Sequence, residues 1–132
     1  VANLPIGGLK TVVVAWDGSR TAARAMNDAL PLLLKAREVR ILTLVGEKPE
    51  AGAGLGEDAA RHLKTHGVEA IIDEVDLEGR RIGQVLEDYA VKCGCDLLVM
   101  GAYGRSRVRE FILGGATEHM LRHLKAAVLL SH

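Results

Sequence analysis

The sequence predicts a doubly wound α/β domain, with a five-stranded parallel sheet in the order 3-2-1-4-5 and helices on both faces. Three observations carry this. Short apolar runs alternate with helical stripes, the pattern of parallel strands joined by right-handed crossovers. The first and fourth runs are continuously apolar, as strands buried on both faces are. Turn residues or glycines close most elements. With 132 residues, 48% of them hydrophobic, the chain suits one domain with a substantial core.

Residues 1–8 contain Pro5 and Gly7-Gly8 and read as a linker or N-terminal extension ahead of a domain over 9–132. Thr11–Trp16 is the first strand. Asp17-Gly18-Ser19 closes it, with Ser19 placed to cap a helix. Ala22, Ala25, Met26, Ala29, Leu30 and Leu33 form that helix's apolar stripe, and Pro31 is expected to kink or interrupt it. Val39–Val45 is the second strand, followed by a Gly/Ala-rich loop over 46–56. A short helix then turns Ala59, Ala60 and Leu63 inward and ends before Gly67.

Val68–Val75 is the third strand, and Glu69, Asp73 and Glu74 suit it to a sheet edge. The next helix has the clearest pattern: Ile82, Val85, Leu86, Tyr89, Ala90 and Cys93 share one face, and Gly94 stops it. Cys93 therefore reads as a core residue rather than a reactive thiol. Asp96–Met100 is the fourth strand, 101–111 a loop, Gly115–Leu124 the last helix and Ala127–Leu130 the last strand.

Seventeen basic residues balance seventeen acidic ones, so net charge favours neither nucleic acid nor a membrane surface. No run approaches the roughly 20 apolar residues of a membrane span. No signal peptide is visible, and Cys93 and Cys95 are too close for an easy disulfide and match no common zinc pattern. A cytoplasmic location is the expectation.

Ligands of open parallel sheets bind beyond the carboxyl ends of the strands, where the strand order reverses. Here that point lies between strands one and four. Strand one ends at Asp17; strand four opens into Gly101-Ala-Tyr-Gly104, then nine residues, then Gly114-Gly115. Glycines allow backbone N–H groups to approach phosphate oxygens, and Gly114-Gly115 opens a helix whose N-terminus favours anions. Arg105, Arg107 and Arg109 add positive charge. The spacing alone fits a loop with solvated arginines equally well, and Asp17 alone fits an ordinary turn or cap.

The segments VVVAWDGS at 12–19 and DLLVMGAYGRSRVREFILGGATEHMLRH at 96–123 resemble the universal stress protein family. That resemblance implies the adenine-nucleotide alpha hydrolase-like fold. It also implies a regulatory module for stress adaptation that binds ATP, ADP or AMP, with Mg2+ as a possible companion. The family's ATP motif is Gly, two residues, Gly, nine residues, Gly, then Ser or Thr. Gly101, Gly104 and Gly114 match it, whereas Gly115 replaces the hydroxyl and removes a hydrogen bond worth about 0.5–1.5 kcal/mol. By the same resemblance, Asp17 lies near ribose or base, and Ala15 and the backbone of Leu44 contact adenine. Gly101, Gly104, Gly114, Gly115 and Ala116 surround ribose and phosphates, with Arg105 beside them. The start of the chain and its Gly-Gly variant are similar to second halves of tandem family members.

The last strand, including Val128, Leu129 and Leu130, carries no charge or proline, so at a sheet edge it is open to pairing. The resemblance implies a homodimer through that strand; a linker or sister domain would cover it instead. The competing reading is a ligand-free dimerisation scaffold. No catalytic constellation is read: Ser19 and Ser106 lack a companion base, no Gly-Lys-Ser/Thr loop occurs, and Asp17 offers at most slow ATP hydrolysis. A phospho-acceptor receiver domain would need clustered acids at the strand ends, and only Asp17 stands at the first. The pairs His119/His123 and His62/His66 show no third metal ligand at useful spacing.

Overall fold

A computed structural model of the chain describes residues 9–18, 20–45, 55–76, 78–80, 82–101 and 127–131. In chain order these form β1 (Thr11–Ala15), α1 (Arg20–Leu33), β2 (Glu38–Val45), α2 (Leu55–Thr65), β3 (Ala70–Asp76), α3 (Ile82–Cys93), β4 (Leu97–Gly101) and β5 (Ala127–Ser131). The sheet runs β3-β2-β1-β4-β5 with every neighbouring pair parallel, the order and sense expected. The expected helix at Gly115–Leu124, the loop before it and the cap at Ser19 lie outside the described residues.

Strand alternation divides the core into two layers. Val12, Val14, Ile41, Leu97 and Val99 face α1 and α2, where Ala25, Met26, Ala29, Leu33 and Leu63 meet them. Val13, Leu42, Leu98 and Met100 face the opposite way, onto Leu86 and Ala90 of α3. Helices thus cover both faces, which is why β1 and β4 read as unbroken apolar runs. Each fully buried Val, Leu or Met contributes about 1.5–3 kcal/mol relative to leaving it in water.

Glycines stop two helices in the same way. Gly67 has φ +84° and Gly94 φ +69°, left-handed values that cost other residues energy. After α2, the N–H groups of Val68 and Gly67 return to the carbonyls of Leu63 (2.9 Å) and Lys64 (3.0 Å). After α3, those of Cys95 and Gly94 return to Ala90 (2.9 Å) and Val91 (3.3 Å). These are Schellman caps, each packing a buried residue, Val68 or Cys95, back onto its helix. The first cap uses Val68, so β3 begins at Ala70 rather than at Val68 as expected.

Pro31 does not interrupt α1, which runs on to Leu33. Placed in the final turn, it removes only the bond its own N–H would make, and Leu34 N–H still reaches the Leu30 carbonyl at 3.0 Å.

Asp96 joins the amino ends of the two central strands. Its Oδ2 accepts from the backbone N–H of Lys10 at 2.8 Å and of Thr11 at 3.1 Å, while its own N–H donates to the Thr11 carbonyl at 2.8 Å. Asp96→Ala leaves two N–H groups without their acceptor and is expected to cost about 1–2 kcal/mol in urea unfolding. Burial pushes the Cys95 thiol from its ordinary 9.0 up to about 12. Above pH 9 the unfolded chain gives up that proton while the folded chain keeps it, so stability falls as pH rises from about 9 towards 12. Unfolding midpoints over pH 8–10.5 should decline less steeply in Cys95→Ala than in the parent.

Candidate functional site

The central strands part company at their carboxyl ends. β1 pairs with β4 from Val12↔Leu97 to Val14↔Val99. Beyond that, β1 stays with β2: Ala15 lies opposite Leu42, and Trp16 N–H donates to the Leu42 carbonyl at 2.9 Å. Met100 and Gly101 of β4 stay instead with Leu130 and Ser131 of β5. The two strands therefore diverge where the strand order reverses, the position at which open α/β sheets hold ligands in a crevice.

The first turn of α1 packs against the end of β4, and Gly101 sets how closely it can approach. A Cβ on Gly101 would stand 2.5 Å from Thr21 Oγ1 and 2.7 Å from both Ala22 N and Thr21 C. Two of those three atoms are backbone and have little room to move. The sequence marked Gly101 for its closeness to a ligand; the structure adds that the fold itself requires the missing side chain.

Of the residues singled out from sequence, Ala15, Asp17, Leu44 and Gly101 lie at carboxyl ends of the three adjoining strands or one turn beyond. Ala15 and Leu44 are half-buried on the α3 side, packed against the layer that contains Val13 and Met100. Asp17 is half-buried two residues past Ala15. Gly104, Arg105, Gly114, Gly115 and Ala116 lie outside the described residues, as do Arg107 and Arg109. In β5, Leu129 is half-buried against the α1 layer; the side chains of Val128 and Leu130 lie outside what is described.

Trp16 was read from sequence only as the end of a strand. Its ring packs on the α1 layer, and its indole N–H is buried without a hydrogen-bond partner. Nothing in the sequence pattern signalled this. Among the described residues, no group of three His, Cys, Asp or Glu side chains is arranged to hold a metal ion, so they offer no such cluster to the Mg2+ raised as a possible companion of the nucleotide. Among them, too, no helix is long and apolar enough to cross a membrane.

With this geometry established, comparison with known proteins gives a consistent set of matches. A family model described as the universal stress protein family matches residues 8–132. A universal stress protein of Synechocystis sp. is 31% identical over 121 residues, covering 89% of this chain and 41% of that protein. The chain thus spans less than half of that relative's length. A universal stress protein solved in complex with cAMP is 26% identical, with a TM-score of 0.68 over 95% of this chain and 98% of that one. A family protein from Arabidopsis thaliana solved with AMP bound shares the fold at 18% identity and a TM-score of 0.60, over 92% of this chain and 90% of its own.

Gly101→Ala forces a methyl group against the α1 backbone and is expected to cost about 1–3 kcal/mol, read as a lowered midpoint in chemical unfolding. An unchanged midpoint would show that α1 can move away freely.

Proposed function

The chain belongs to the universal stress protein family, and from that premise we propose that it is a regulatory module binding an adenine nucleotide in the crevice between β1 and β4. One observation carries the reading: the two central strands diverge beside Gly101, next to the first turn of a helix. The 26%-identical neighbour solved with cAMP supports the ligand class. On this reading adenine lies against Ala15 and the Leu44 backbone, and Asp17 accepts from ribose or base. Gly101, Gly104, Gly114, Gly115 and Ala116 line the ribose and phosphate positions, with Arg105 adding charge. Gly115 offers a backbone N–H but no hydroxyl, which lowers affinity for the phosphate chain without removing the adenine and ribose contacts. A cytoplasmic role in stress adaptation is part of the same proposal.

Titration calorimetry with ATP, ADP, AMP and cAMP tests it. At least one should bind in the micromolar to millimolar range. Asp17→Ala should weaken that binding by about 10-fold or more, the equivalent of losing a hydrogen bond to a charged group. Absence of heat with all four would end this reading.

A second proposal rests on the place of β5 at the end of the sheet order. An uncharged terminal strand is suited to pair with a second copy across a two-fold axis. Sedimentation velocity over a concentration series should then show a dimer, and a monomer throughout would refute the pairing. In a longer chain a sister domain would take the same place.

A further inference from the structure

We infer that Val75, at the carboxyl end of β3, is the far wall of the base subsite and sets a preference for a two-ring purine over a one-ring pyrimidine; this rests on the nucleotide reading above. Register places the apolar side chains of the α3 face in rows. In the deeper row Ala15 lies opposite Leu42 on one side, and Met100 follows the last β1–β4 pair, Val14↔Val99, on the other. Met100 and Leu42 are each 1% exposed in the layer beneath α3. Ala15, between them, is half-buried, because its methyl group is too short to fill the row. The result is a notch with long side chains on both sides.

One step further toward the carboxyl ends stand Leu44 and Val75, registered partners on β2 and β3. Both are half-buried and packed on the same layer as Ala15. Three apolar side chains from adjacent strands therefore remain partly open in sequence across the sheet. Asp73, the next residue inward on that face of β3, is held by Arg40 and Tyr89 and turns its charge to them. Strands stand about 4.8 Å apart, so the run from β1 to β3 is about 10 Å wide. A surface of this kind suits the face of an aromatic base rather than a sugar or phosphate. A single ring seated on Ala15 ends against Leu44; a fused second ring extends the contact to Val75.

The test compares ring size at constant phosphate number: AMP against CMP and ATP against CTP, each titrated calorimetrically into the parent and into Val75→Ala and Val75→Ile. In the parent the adenine member of at least one pair should bind more tightly than its cytosine counterpart. Val75→Ala removes two methyl groups from the wall and should weaken the adenine nucleotide about 5-fold or more. The cytosine nucleotide should hold its affinity, so the ratio between them shrinks. Val75→Ile keeps the wall and should keep the ratio. A general loosening of the fold would weaken both members of a pair together, leaving the ratio unchanged. Adenine binding with the parent's ratio retained in Val75→Ala would overturn the wall and leave the nucleotide reading standing. No binding of any of the four to the parent would remove both.

Discussion

The architecture depends on how closely the first turn of α1 approaches the end of β4. Gly101 permits that approach by having no side chain, and the stripe of Ala22, Ala25 and Ala29 continues it along the helix, all three at most 2% exposed. Small residues on a helix bring its axis close to the sheet, and at these positions the strands below can pack without cavities. With α1 held there, the turn at Asp17-Gly18 has little freedom, because it must connect the end of β1 to a helix already fixed against β4. The divergence of β1 and β4 thus owes its position to the packing of α1 on Gly101.

A second constraint works at the β3 edge of the sheet. Arg40 Nη1 bonds Asp73 Oδ2 at 2.9 Å and its Nε bonds Glu38 Oε2 at 2.9 Å, while the Tyr89 hydroxyl of α3 donates to the same Asp73 oxygen. Burial, reinforced by the bond to Asp73, raises the Tyr89 phenol well above its usual range, so it remains a donor. The ion pairs are partly solvated and add little stability. Their effect is on register. Asp73 reaches Arg40 only while Arg40 lies opposite Ile71, and a one-residue slip of β3 would turn Asp73 to the other face. β3 carries less apolar surface than the inner strands, so polar partners help to fix its alignment.

Periodicity and glycine placement made most of the fold legible. Two continuously apolar runs identified the central strands, and Gly67 and Gly94 marked helix ends that are indeed left-handed. What stayed hidden involves partners far apart in the chain. Asp96 read as the first residue of a strand, whereas its carboxylate caps N–H groups 85 and 86 positions earlier. The Arg40–Asp73–Tyr89 group depends on strand register, which the sequence does not display. Pro31 suggested a break because its cost was weighed without knowing that only one helical turn remained. Of the candidate site, the β1, β2 and β4 residues were legible as strand ends; the Gly104–Ala116 half lies outside the described residues, so only the first half can be compared with its expectation.

Trp16 has a use of its own. It is the sole tryptophan of the chain, one residue from Asp17, with its indole N–H enclosed and unpaired. Indole emission responds to local polarity and to new hydrogen bonds. The protein therefore carries an intrinsic optical reporter one residue from Asp17, on the α1 side of the sheet, so that changes at the end of β1 can be followed without a dye or a label.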